Sequence, residues 1–262
     1  MKKSSNPKQA APPAALVTGA ARRIGRAIAL DLGRQGWRVA VHYHGSKRDA
    51  DGIVAEIVNA GGSAQAFAAD LGNSAKASRL LGHAAAALGP LSLLVNNAAI
   101  FERDEPLTAT PKSWDAHFDI NLKAPFFLSQ AFARQLPAKT EGNIINLIDM
   151  RVWRLTPHFT SYTLSKSGLW AMTQMLALAF APHIRVNGIG PGPVLPSPRQ
   201  SAQQFARACA STPLRRGASP EEIAAAVRFI LASPAMTGQM IALDGGQHLT
   251  APAGNPTQVI DE

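Results

Sequence analysis

The sequence predicts an α/β fold: a single domain built on a doubly wound parallel sheet with helices on both faces. Three observations predict it. Short apolar runs rich in Val, Ile and Leu alternate with longer segments of helical period, the pattern of βαβ units. The first run leads at once into a glycine-bearing turn and a helix. A later run, Ile144-Ile145-Asn146-Leu147-Ile148, ends on Asp149, a carboxylate at a strand end, where such sheets bind ligands.

A chain of 262 residues, 46% hydrophobic and 16% charged, can bury one large core. No apolar run reaches the roughly 18 residues of a membrane helix. The basic start, residues 1–12, has no leucine-rich core behind it and reads as a loose tail rather than a signal peptide. A single cysteine, Cys209, excludes an intramolecular disulfide framework and a multi-cysteine zinc site, and no metal is expected. A cytoplasmic protein fits best. The net charge of +9 has two readings. Scattered cations without interleaved aromatics argue against a nucleic-acid surface. A field favouring small anions, such as a phosphorylated cofactor, is preferred.

The first strand is Ala14 to Val17, and a helix runs from Ile24 to Gln35, stopping at Gly36. Between them lies Thr18-Gly19-Ala20-Ala21-Arg22-Arg23-Ile24-Gly25. Strand, glycine turn and helix start make an anion cradle, because backbone N–H groups and the helix dipole favour phosphate there. Gly25 lets the helix pack close to the strand. The second strand, Trp37 to Tyr43, leads into His44-Gly45-Ser46-Lys47-Arg48. NAD binders place an acid near this strand end to hold the ribose 2′-hydroxyl. Here His44, Ser46, Lys47 and Arg48 are offered instead, groups that bind a 2′-phosphate, so NADP(H) is expected.

A second helix runs to Gly61-Gly62, and a third strand, Ala64 to Ala69, ends at Asp70-Leu71, where Asp70 can accept from an adenine amino group. A third helix precedes the strand Leu91 to Val95. Asn96-Asn97-Ala98-Ala99 then supplies small residues beside which a flat ring can lie. After Ile100-Phe101 a long helix is expected from about Pro111 to Gln135. It carries Asn121, a poor helix former that either faces solvent or holds a water near Lys166.

Tyr162 and Lys166 stand at i and i+4, on one face of a helix expected from about Thr160 to Ala181. An ammonium beside a phenol favours the phenolate, which makes the phenol a better acid. Alone, Tyr-x-x-x-Lys is often chance. The helix is apolar nearly all round, with Lys166 its only charge. One side covers the sheet, and the other is expected to meet a second copy of the chain. Strand Ile184 to Ile189 leads to Gly190-Pro191-Gly192-Pro193. The proline-punctuated stretch 193–216, with a short helix around Ala202 to Ala210, reads as a lid. A helix Glu221 to Leu231 and a strand Met240 to Leu243 close the sheet. The domain spans 13–249, and 250–262 is a polar tail.

In this order these segments resemble the short-chain dehydrogenase/reductase family: Thr18-Gly19 to Gly25, Asp70-Leu71, Asn96-Asn97-Ala98, Asn121, Tyr162 to Lys166, Pro191-Gly192, Thr237-Gly238-Gln239 and Asp244-Gly245-Gly246. The resemblance implies one Rossmann-type domain, a nicotinamide cofactor, and a homotetramer or dimer. It implies Tyr162 as proton donor, Lys166 on the nicotinamide ribose, and Asn121 positioning a water relay. The family usually has serine thirteen residues before the tyrosine, whereas this chain has Asp149. A carboxylate only accepts hydrogen bonds and repels a developing alkoxide. It suits a substrate with N–H donors, such as a pterin, or merely pairs with Arg151 or Arg154.

The details are similar to pteridine reductases. Arg23 in the turn, His42-Tyr43-His44 with Ser46, the Asp149–Tyr162–Lys166 set and Phe101 all match. The resemblance implies that Arg23, Phe101, Asp149 and Tyr162 bind substrate, Phe101 by stacking. It implies that Gly19, Arg23, Ile24, Gly25, His44, Ser46, Lys47, Asp70, Leu71, Asn97, Ala98, Pro191 and Gly192 line the cofactor. Two positions depart: Ala99 replaces a serine, and Gly45 an arginine. The expected reaction is reduction of a dihydropterin. The alternatives are a carbonyl reductase, for example of 3-oxoacyl thioesters, and a non-catalytic NADP(H)-binding sensor.

Overall fold

The computed structural model describes residues 11–250; most of the expected N-terminal tail and nearly all of the C-terminal one lie outside the described residues. Seven strands form one all-parallel sheet. They are β1 (Ala14–Val17), β2 (Arg38–Tyr43), β3 (Ser63–Ala68), β4 (Leu93–Asn96), β5 (Gly142–Leu147), β6 (Ile184–Pro191) and β7 (Met240–Leu243), in the spatial order β3-β2-β1-β4-β5-β6-β7. The chain winds outward in one direction from β1 and then returns to build the other half from β4. A crevice is thereby left where β1 and β4 separate at their carboxyl ends.

The helices divide between the two faces. On one lie α1 (Arg23–Arg34), α2 (Lys47–Asn59) and α8 (Pro220–Leu231); on the other α3 (Ser74–Leu88), α5 (Ala124–Gln135) and α6 (Thr160–Phe180). Two hydrophobic cores result, and the pleat of β1 feeds both: Ala14 and Leu16 point into one, Ala15 and Val17 into the other. Strands buried on both faces read as continuous apolar runs, which is why they were legible in the sequence.

The expected long helix over 111–135 is not one regular helix. It runs as α4 (Pro111–Phe118), a π-helical turn at Asp119–Lys123, and α5. The wider turn directs Asn121 inward, fully buried, rather than to solvent. Helix α4 starts on a capping box, with Thr110 Oγ1 accepting from Ser113 N–H and Pro111 at the first position. Helix α7 (Ala202–Ala210) lies within the stretch 193–216, as the sequence pattern predicts. The outer face of α6 leaves Leu164, Met175 and Leu178 exposed, the last at 84%.

Candidate active site

The glycine turn is built by contacts that admit no side chain. A Cβ on Gly25 would lie 2.3 Å from Gly19 O and 2.6 Å from Asn97 Nδ2. Gly19 has φ +62, where glycine is favoured. Asn97 fastens the turn to β4, its Nδ2 donating to Thr18 O at 2.8 Å and Gly19 O at 3.2 Å. His42 braces it from β2: Gly19 N–H donates to Nδ1 at 3.0 Å, so Nε2–H donates to Ala69 O at 3.1 Å. Burial lowers the His42 pKa to about 4 against the Ala69 bond, with His44 adding to the effect, and the ring is neutral at pH 7. No acidic residue stands in the first turn of α1. A tight, acid-free cradle at a helix start fits a dinucleotide pyrophosphate.

Arg23 has φ +54, in the left-handed region. Its guanidinium donates to Pro196 O at 2.8 Å and Leu195 O at 3.1 Å, tying the turn to the strap after β6. At the end of β2, His44 and Lys47 are exposed, and the Lys47 ammonium pairs with Asp51 at 2.6 Å rather than turning toward the strand end. Ser46 N-caps α2 without a side-chain bond, and Asp49 in the first turn of α2 is bound by Arg22. The Asp70 carboxylate accepts from Gly72 N–H at 3.0 Å, and Leu71 is packed into the core, so its side chain is turned away from the groove. These positions follow the strand ends from β3 to β1, beyond the cavity described next.

That cavity, of about 260 Å³, opens at the carboxyl ends of β4, β5 and β6. It brings together Arg23, Ile24, Asn97, Phe101, Asp149, Tyr162, Lys166, Pro191 and Gly192. Asp149 follows β5, with Oδ1 accepting from Arg151 N–H at 2.8 Å. Oδ2 accepts from the Tyr162 hydroxyl at 2.8 Å. The Lys166 ammonium, 2% exposed, donates to Leu147 O at 2.7 Å and lies 5.9 Å from the centre of the Tyr162 ring. Burial lowers its pKa to about 8, and Asp149 opposes the shift. Phenol, carboxylate and ammonium therefore meet in one recess, which can hold a proton and release it to a bound molecule.

Asn121 does not extend toward the cavity. Its Oδ1 accepts from Ile100 N–H, and its Nδ2 donates to Ile100 O and Ser165 Oγ. A water near Lys166 would have to be held by another atom of this turn. Phe101 stacks on Phe159 at 4.3 Å and meets the edge of Tyr162 at 4.6 Å. Arg199, from the strap, donates to Phe101 O and to Glu102, with its guanidinium 5.8 Å from the ring centre. Sequence reasoning missed His42 as a brace and Arg199 as a clasp. His42 was read only as part of the His42-Tyr43-His44 match and Arg199 has no local pattern, because the role of each acts across a long stretch of chain.

A family model described as enoyl-(acyl carrier protein) reductase matches residues 19–248. The structure of a short-chain dehydrogenase/reductase from Serratia marcescens superposes with a TM-score of 0.85 at 28% identity, covering 90% of this chain and 98% of that one. This chain belongs to the short-chain dehydrogenase/reductase family. A relative from Synechocystis sp., named 3-oxoacyl-[acyl-carrier-protein] reductase, is 33% identical over 241 residues, 88% of this chain and 95% of its own. The structure of FolM alternative dihydrofolate reductase 1 from Brucella canis, complexed with NADP, is 44% identical with a TM-score of 0.90, covering 94% of this chain and 97% of its own. Among the described residues of this short-chain dehydrogenase/reductase, no helix is long and apolar enough to cross a membrane.

Proposed function

We propose that this short-chain dehydrogenase/reductase is a cytoplasmic NADP(H)-dependent reductase of a pterin-like heterocycle, converting a dihydropterin to a tetrahydropterin. The observation that carries it is the Asp149 carboxylate accepting from the Tyr162 hydroxyl at 2.8 Å, within a recess walled by Phe101. A serine hydroxyl there would donate to a ketone oxygen. A carboxylate accepts from ring N–H and amino groups and disfavours an alkoxide. The name of the Brucella relative, an alternative dihydrofolate reductase, supports the same substrate class.

The glycine turn with Gly19 and Gly25 fits the cofactor's pyrophosphate, and His44, Ser46 and Lys47 are assigned to the 2′-phosphate end. Asp70 and the Leu71 backbone serve the adenine. Asn97, Ala98, Pro191 and Gly192 flank the nicotinamide. When bound, the reduced nicotinamide supplies the hydride. Phe101 stacks on the substrate ring, a contact worth about 0.5–1.5 kcal/mol beyond area burial. Asp149 and Arg23 hold the amino and oxo edge. Tyr162 gives its proton to the ring nitrogen, and the Lys166 charge stabilises the phenolate left behind. Asn121 keeps Ile100, and so Phe101, in place. The strap 193–216 acts as a lid over the substrate.

A second reading, reduction of 3-oxoacyl thioesters, has the Synechocystis relative in its favour. NADPH oxidation with a dihydropterin and with a 3-oxoacyl thioester, measured side by side, separates the two. The dihydropterin should turn over faster. Asp149→Ser should weaken that preference, and Tyr162→Phe should abolish turnover while NADPH still binds. Faster thioester turnover would overturn the pterin assignment. For assembly we propose a homotetramer or dimer that buries Leu164, Met175 and Leu178 of α6; a monomeric mass in sedimentation would refute it.

A further inference from the structure

A buried polar network lies not in the cavity but behind it. Asp104, 4% exposed, lies in the loop that carries Phe101. Its Oδ1 accepts from Ser161 N–H at 3.0 Å, its Oδ2 accepts from Ser161 Oγ–H and from Ser113 Oγ–H, and its backbone oxygen accepts from Thr160 N–H at 3.2 Å. Ser161 immediately precedes Tyr162. Its Oγ also meets His117 Nδ1 at 2.7 Å, and that ring, wholly buried, accepts Glu102 N–H at Nε2 at 3.1 Å.

The donors run in one sense. With Nε2 accepting from Glu102, the His117 proton is on Nδ1 and points to Ser161 Oγ or Ser113 O. Ser161 then passes its own proton toward Asp104. Burial holds the His117 pKa below its usual value, against the pull of the Ser113 bond, Asp104 and Glu102. For Asp104, burial pushes upward, but the bonds from Ser161 and Ser113 outweigh it and the carboxyl stays below its usual range. A neutral imidazole and a charged carboxylate thus satisfy each donor without ambiguity.

The network ties three segments of the site. It joins the 101–105 loop, helix α4 through Ser113 and His117, and the first turn of α6. Helix α6 also begins from Phe159, held at φ +59, with its ring stacked on Phe101. An ordinary N-cap needs one oxygen for one N–H. Asp104 instead makes bonds on both sides of the α6 start, at the place where the His117 ring stands 6.0 Å from Tyr162 and edge-on to it.

We propose that Asp104 is a positioning residue: acting through Ser161 and His117, it fixes Tyr162 of α6 against the Phe101 loop, so that the phenol and the stacking platform keep one mutual geometry. This rests on the reading of Tyr162 as proton donor, and its test has a readout that needs no substrate. The chain has two tyrosines, Tyr43 and Tyr162. In a Tyr43→Phe background the ultraviolet absorbance of phenolate against pH therefore titrates Tyr162 alone.

The variants are Ser161→Ala, Ser161→Thr and Asp104→Asn in that background, each checked by thermal melting. Misplacement of a reacting group by about 1 Å costs up to roughly a hundredfold in rate. With dihydropterin, Ser161→Ala and Asp104→Asn should lower kcat about tenfold or more. Their NADPH Kd should stay near that of the background protein, and the Tyr162 titration should shift. Ser161→Thr, which keeps the hydroxyl, should restore both readouts. Unchanged kcat and an unchanged titration in a folded Ser161→Ala or Asp104→Asn protein would overturn the proposal and leave Asp104 as a helix cap. Absence of dihydropterin turnover in every protein would sink the assigned substrate, while the phenolate titration would still decide the role of Asp104.

Discussion

His42 Nδ1 accepts the Gly19 N–H, so the residue at the tightest point of the glycine turn is held by a neutral imidazole from the neighbouring strand. The folded pKa of about 4 lies below the usual 6.5. Above pH 6.5 the ring is neutral in both folded and unfolded chains. As pH falls from 6.5 to 4, the unfolded chain takes up a proton and the folded one does not, so stability is lost across that window. The total is about 3 kcal/mol, at 1.36 kcal/mol per unit. Chemical denaturation at stepped pH should follow this slope. In His42→Asn the loss of stability between pH 6.5 and 4 should shrink by about this amount, with His117 and the hydrogen-bonded carboxylates supplying the remainder; an unchanged slope would remove His42 as a cause.

Gly25→Ala places a methyl group against Gly19 O and Asn97 Nδ2. The backbone of the turn must move, at a cost of about 1–3 kcal/mol, and the pyrophosphate cradle moves with it. NADPH binding, followed by fluorescence titration, should fall beyond detection while a cooperative melt is retained. Gly82→Ala in α3 is the control, because nothing lies within 4 Å of a Cβ there and the position is outside the assigned cofactor groove.

Lys166→Met should separate activity from stability. The ammonium has a folded pKa of about 8 against 10.5. It therefore destabilises the fold fully below pH 8, by about 3 kcal/mol, and ceases to do so as pH rises to 10.5. Methionine keeps the bulk and removes the charge, leaving Leu147 O without its donor at about 1 kcal/mol. The variant should be inactive and melt at or above wild type at pH 7, with the gain fading toward pH 10.5. A melt well below wild type would show that the ammonium contributes to folding after all.

Arg23→Gly relieves a left-handed arginine but removes both bonds to Leu195 O and Pro196 O. Strain of that kind costs about 1–3 kcal/mol, so overall stability should change little. Limited proteolysis should cut within 193–216 several-fold faster than in wild type. Equal cleavage rates would mean that Arg199, through Glu102 and Phe101, holds the strap alone.

Periodicity carried most of the fold. Helix Ala202–Ala210 and strand Met240–Leu243 lie where the pattern puts them, and other boundaries differ by one or two residues at most ends. Among the cavity residues, Asp149 was legible from its strand end and Tyr162 and Lys166 from their i,i+4 spacing, whereas Phe101 and Arg23 came from the resemblance to pteridine reductases. The pairing of Lys47 with Asp51 was not legible, although its i,i+4 spacing is local. Neither were the Asp104–Ser161 bonds, which span 57 residues, nor the π turn, whose Asn121 donates to Ser165 of α6, 44 residues on. Buried polar networks leave no period in a sequence. The capping box Thr110 to Ser113 was readable in principle, and it points to the stretch where His117 lies.

The π turn at Asp119–Lys123 sets the phase between two helices. Residues before it, including His117, face α6; residues after it, including Leu128 and Phe132, face the sheet. The turn takes up one residue more than ordinary winding does, so deleting one would close it, keep the flanking helices near their present phase and carry Asn121 away from Ile100. This segment should therefore accept substitutions on its outer surface, such as at Lys123, far more readily than any change in its length.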